Sequence, residues 1–162
     1  MVDRPRRLVF TGEGKGKTTA ALGMVLRAAG HGMRVLVVQF IKGDMPSGEI
    51  ERYGLGFLPE HRDEAFRDHQ QAAEGAIERA AGAIRSKEFD LVVLDEVCYA
   101  INRGLVSVGA VAECFREAPC HVVMTGRHCP PELVKMADTV TQMRAVKHAM
   151  AVGREACRGI EF

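Results

Sequence analysis

The stretch LVFTGEGKGKTTAALGMVLRAAG, residues 8–30, decides the fold. Three apolar residues, Leu8 to Phe10, lead into Gly12, Gly14 and Gly16, which alternate up to Lys17 and Thr18. From Thr18 to Ala29, the residues Ala21, Leu22, Val25, Leu26 and Ala29 share one side of a helix, and Gly30 and Gly32 stop it. A strand, a glycine loop and a helix are therefore predicted in succession. Glycine lets the backbone take positive φ and approach an anion closely. Successive N–H groups, the helix N-terminus and the Lys17 ammonium then face a polyphosphate, and Thr18 offers a hydroxyl to a Mg²⁺ bound there. The pattern is that of a P-loop with one departure, because Thr11 stands where its first glycine is expected. Lys15 either touches phosphate or lies in solvent. Glu13 fits such a loop only by facing ribose, base or metal.

The alternation continues downstream. Val35 to Phe40, Leu91 to Leu94 and His121 to Met124 are short apolar runs, and Thr139 to Met143 is a weaker one. Continuous apolarity marks strands covered on both faces. Between them, Glu64 to Lys87 keeps one face apolar through Phe66, Ala73, Ile77, Ala80 and Ile84. Val108 to Glu117, ended by Pro119, and Pro131 to Ala137 complete the predicted helices. The expectation is an α/β fold over residues 1–162 as one domain. Its parallel sheet of about five to six strands lies between helices, the three-layer RecA-like arrangement of P-loop proteins.

In such sheets the ligand sits beyond the carboxyl ends of the strands. The segments there are GEGKGKTT (residues 12–19), QFIKGD (39–44), Asp95 with Glu96, and TGRHCPP (125–131). Asp95 and Glu96 either hold Mg²⁺, directly or through water, or cap the next helix. Arg127 either grips phosphate through its bidentate fork or forms a surface ion pair. His128, like His31, His61, His69 and His121, is assigned no proton transfer.

The chain has 162 residues, with 22 basic against 21 acidic. Such a balance argues against coating nucleic acid or a membrane surface. Five cysteines, at 98, 114, 120, 129 and 157, make an odd set without a CxxC pair, suiting a reducing cytosol better than a disulfide framework or zinc. The longest apolar run falls far short of a membrane span, and the basic start leads into a strand. A cytoplasmic protein without nucleic-acid or membrane partners is expected.

A hydrolase must orient water, and a kinase must supply a base. No base motif stands out beyond Asp95 and Glu96, so the residues alone leave the transferred group open. Four segments together narrow it: residues 11–43, VVLDEV (92–97), TGRHCPPELVKMADTVTQM (125–143) and VKHAMAVGREACRGIEF (146–162). They resemble the ATP:corrinoid adenosyltransferases nearly end to end. The resemblance implies that a cobalt(I) corrinoid attacks the 5′ carbon of ATP and that triphosphate leaves. It also implies that Gly12, Gly14, Gly16, Lys17, Thr18, Thr19 and Arg127 hold the triphosphate. Thr18 and Glu96, with Asp95 nearby, would hold Mg²⁺, and Gln39, Phe40 and Lys42 would line the rim. Arg27 matches a family arginine or is an exposed helix charge. Further implications are a homodimer and a reduced flavoprotein as electron donor.

Two departures from the family stand out. Only about seven residues precede the first strand, where members commonly carry a longer covering segment. A GFTWET-like stretch, aromatic above the corrinoid, reads GFLPEH here (residues 56–61), and the chain has no tryptophan. Phe57, with Leu58, either presents an apolar face to the corrinoid or belongs to the core. The alternatives are a small-molecule kinase or ATPase of the same fold, and a corrinoid- or nucleotide-binding module without turnover.

Overall fold

The computed structural model describes residues 4–41, 50–53, 55, 64–157 and 159–160. Chain order is β1 (Arg7–Thr11), α1 (Lys17–Gly30), β2 (Val35–Gln39), β3 (Ile50–Arg52), α2 (Glu64–Ser86), β4 (Leu91–Asp95), α3 (Val97–Asn102), α4 (Val108–Arg116), β5 (His121–Thr125), α5 (Pro131–Met136) and β6 (Thr139–Gln142), followed by a 3₁₀ turn at Ala149–Val152. The strands form one sheet in the order β3-β2-β4-β5-β1-β6, and every neighbouring pair is parallel.

Each expected strand and helix is present, with ends shifted by a residue or two. Three elements were not expected. β3 has three residues, too few for any alternation to show. The six residues of α3, VCYAIN, make fewer than two helical turns, too few for a helical period to repeat. The turn at Ala149–Val152 is likewise a single short element.

Burial follows the two-residue period of the pleat. Leu36, Val38, Val92, Leu94, Val122 and Met124 pack with residues of α2, α3, α4 and α5 in one cluster. Val35, Val37, Leu91, Val93 and Val123 pack on the other face with Ala21 and Ala28 of α1. β2 and β4 are therefore buried along their whole length, whereas all four residues of the edge strand β6 are exposed. That exposure explains why β6 reads weakly in the sequence.

Register places the polar groups of the carboxyl edge. Gln39 lies opposite Asp95, and Leu94 opposite Met124, so Asp95 and Thr125 end adjacent strands side by side. Phe10 lies opposite Thr125, which sets Thr11 and the loop after it at the same edge. The carboxyl ends of the strands thus form a polar row above an apolar sheet. Three cysteines (Cys98, Cys114 and Cys120) are buried as small apolar groups, Cys129 is half-buried, and Cys157 is exposed. No described helix is long and apolar enough to cross a membrane.

Candidate functional site

The loop between β1 and α1 is shaped by glycine for two distinct reasons. Gly12 and Gly16 adopt φ of 96° and 107°, a region costly for residues with a Cβ. Gly14 is needed for space. A Cβ there would stand 2.8 Å from backbone atoms of Met143 and Arg144, just beyond β6. The Gly14 N–H donates to the Met143 carbonyl at 2.8 Å, so this segment buttresses the loop. Among the described residues no side chain caps α1, whose first turn begins directly after Gly16. Its leading N–H groups point at the rim, where an anion is favoured.

Lys17 is buried, and its Nζ donates to the carbonyls of Gly12 and Gly14, each at 2.8 Å. Burial is the main cause pulling its pKa below the ordinary lysine value; Arg127 pulls the same way, while Glu96, Glu13 and Asp95 oppose it. Those four charges are the ones expected at the strand ends, and all lie close enough to act on one ammonium.

Asp95 is fully buried and triply bonded. Its Oδ1 accepts from the Thr18 hydroxyl at 2.9 Å and the Thr125 hydroxyl at 2.6 Å, and its Oδ2 accepts from the Gln39 amide at 2.9 Å. A buried carboxylate demands such partners. Thr125 also accepts the Glu96 N–H at 2.8 Å. Glu96 precedes α3 with a φ of 62°, and its side chain makes no capping bond to that helix. The helix-capping alternative for the acidic pair is therefore not what the fold uses.

Glu13 and Arg127 meet across the rim. Arg127 Nη1 lies 3.6 Å from Glu13 Oε2, and His128 Nε2 lies 3.0 Å from Glu13 Oε1. The acidic residue in the loop thus faces the cations that follow β5. Lys15 and Thr19 are exposed on the same loop and first turn. One residue expected at the rim is elsewhere, and Arg27 takes the place of an exposed helix charge. Phe40 turns into the core, because the polar partner of Asp95 is its neighbour Gln39. Arg27 is exposed in the last turn of α1, ten residues on from Lys17 and so about 15 Å away along the axis. Lys42 and Phe57, with the rest of GFLPEH, lie outside the described residues.

Residue spacing assigned no role to Thr125, Asn102 or Met143. Thr125 left a signal, being the hydroxyl that closes the buried apolar run of residues 122–124. Met143 left none, since its contribution is a backbone carbonyl.

Mg²⁺ suits this donor set. It takes one or two carboxylates together with substrate phosphates and water, and Thr18 with Asp95 offers a hydroxyl beside a carboxylate at the mouth of the loop. Among the described residues no group of three or more His, Cys, Asp or Glu could hold a metal by itself. Such a site suits a cation that arrives with a polyphosphate.

The parallel sheet, the glycine loop with its lysine and the buried Thr–Asp pair define a P-loop nucleotide-binding domain. Residues 3–162 match the model of the ATP:corrinoid adenosyltransferase family BtuR/CobO/CobP. A corrinoid adenosyltransferase of Pseudomonas aeruginosa is 43% identical, the match covering 96% of this chain and 82% of that one. One of Escherichia coli K12 is 39% identical, covering 96% and 84%. Among solved structures, the genome packaging NTPase B204 of Sulfolobus turreted icosahedral virus 2 superposes loosely, with a TM-score of 0.46 and 13% identity over 85% of this chain and 74% of its own. The chain belongs to the ATP:corrinoid adenosyltransferases.

Proposed function

We propose that this chain transfers the 5′-deoxyadenosyl group of ATP to the cobalt(I) of a corrinoid and releases triphosphate. The observation that carries the reading is the family match over residues 3–162. The chemistry fits. Cobalt(I) is already a strong nucleophile, so no proton need be removed, and Asp95 is engaged by three donors. The protein has to align the reactants and stabilise the departing triphosphate, which are effects of positioning and fixed charge.

In this reading Gly12, Gly14, Gly16, Lys17, Thr18 and Thr19 hold the triphosphate, and Lys17 exchanges its bonds to the loop carbonyls for phosphate oxygens. Arg127 joins it from the β5 side. Glu13 and Lys15 shape the loop's outer face, and Gln39 steadies Asp95. Thr18, Asp95 and Glu96 would hold Mg²⁺, which supplies charge neutralisation to the phosphates. Lys42 lines the rim beyond β2, and Phe57 presents an apolar face to the corrinoid. A homodimer in the cytoplasm, supplied with cobalt(I) through a reduced flavoprotein, completes the proposal. The strongly exposed apolar side chains of Val146, Met150, Val152 and Ile160 support self-association.

The test is incubation with Mg-ATP and chemically reduced cobalamin, following the cobalt–carbon product by absorbance and identifying the phosphates. Adenosylated product with triphosphate is expected. ADP would point to a kinase or ATPase, and binding without product to an inert module. Lys17→Ala is expected to abolish turnover, and near-normal activity in that variant would refute the loop assignment.

A further inference from the structure

The turn after β5 is unusual in its backbone. Gly126 has φ of 136°, and His128, which carries a Cβ, has φ of 51°. A Cβ at Gly126 would stand 2.8 Å from both the Cβ of Cys98 and the backbone N of Tyr99, so the turn is pressed against the first turn of α3. The Gly126 N–H donates to the Phe10 carbonyl at 3.2 Å, and the Cys129 N–H to the Thr11 hydroxyl at 3.2 Å. These bonds fix the two ends of the turn. Its middle is held by Asn102, the last residue of α3. The Asn102 Nδ2 donates to the carbonyls of both Arg127 and His128, each at 3.0 Å.

A primary amide has two N–H groups, and two consecutive carbonyls here use both. The left-handed residue between the two ends is disfavoured by its own Cβ and needs such support. The Arg127 side chain is exposed, and the partner it reaches, Glu13, is exposed too. The direction of that side chain over the phosphate loop is therefore set by the backbone beneath it.

We propose that Asn102 is a positioning residue, fixing the Arg127–His128 turn so that the Arg127 guanidinium is held over the phosphate loop. The inference rests on the reading that Arg127 meets the triphosphate. Asn102 itself touches no substrate. Loss of its amide frees the two carbonyls, lets His128 relax toward an ordinary conformation and swings Arg127 away.

The experiment is a double-mutant cycle in the full-length chain, with steady-state kinetics in ATP and in reduced cobalamin. The variants are Asn102→Ala, Asn102→Asp, Arg127→Ala and Asn102→Ala with Arg127→Ala. Asn102→Ala is expected to lower kcat/KM for ATP about tenfold, the worth of roughly one net hydrogen bond. The loss should appear in the KM for ATP, with the KM for cobalamin unchanged. Asn102→Asp keeps the shape but turns a carboxylate on the two carbonyls, and should lose more. In the Arg127→Ala background, Asn102→Ala should cost less than about twofold, because coupled residues are not additive. Equal losses in both backgrounds, or normal kinetics in both Asn102 variants while Arg127→Ala is impaired, would overturn the inference alone. Normal kinetics in Arg127→Ala would instead remove the phosphate reading of Arg127, and this inference with it.

Discussion

Thr125 offers the sharpest test of how the site is built. Replacing it with valine keeps the shape of a fully buried side chain and removes only the hydroxyl. That hydroxyl donates to Asp95 at 2.6 Å and accepts the Glu96 N–H at 2.8 Å. A hydrogen bond to a charged group contributes about 1.5–3 kcal/mol, and an orphaned backbone donor costs about 1 kcal/mol or more. Asp95 keeps Thr18 and Gln39, and Glu96 is half-exposed, so water offsets part of the loss. The expected destabilisation is about 3 kcal/mol, which in a chain of this size lowers Tm by about 6–12 °C. Urea and thermal unfolding at neutral pH measure it. Thr125→Ser keeps the hydroxyl and loses one methyl, so it should cost only about 1 kcal/mol. A valine variant as stable as the parent, or a serine variant as damaged as the valine one, would show that the hydroxyl does not organise the carboxylates.

Gly14→Ala should weaken both folding and ATP binding, because its Cβ would meet the backbone of Met143 and Arg144, which cannot move aside like a flexible side chain; a cost of about 1–3 kcal/mol in urea unfolding is expected. His121 makes stability depend on pH. Burial, aided by Arg6 and opposed by Asp90, holds its pKa below the ordinary 6.5, and its Nδ1 accepts the Arg6 N–H at 3.0 Å. Below pH 6.5 the unfolded chain therefore binds a proton that the folded chain declines, so stability falls as the pH drops and is fully recovered above 6.5. His121→Gln should flatten that slope between about pH 5 and pH 7.5, and an unchanged slope would assign it to other groups.

Much of the molecule was legible in the residues. β2 and β4 are nearly continuous valine and leucine because both of their faces are covered, and such runs announce themselves. The loop from Gly12 to Lys17 was legible for a similar reason: its chemistry resides in glycines at fixed spacing and a lysine immediately after them. Short elements escaped, since the six residues of α3 make fewer than two helical turns and the three of β3 a single alternation, so neither repeats its period. Phe40 was misplaced because an aromatic after a strand can turn either way, and only the register with β4 decided that Gln39 faces Asp95 while Phe40 enters the core.

The sequence by itself determined the covalent inventory of the site: a glycine-rich bend, a lysine, a threonine, an acidic pair and an arginine, each following a strand. Only the tertiary structure decided what these groups do to one another. Thr125 completes the shell of Asp95 from 30 residues away, and Asn102 holds the carbonyls of Arg127 and His128 from 25 and 26. The Met143 carbonyl braces the glycine loop through a bond that uses nothing of its side chain. Local spacing encodes local geometry, whereas a hydrogen bond between strand ends depends on which strands are neighbours and in what register, and that is fixed only when the whole sheet packs.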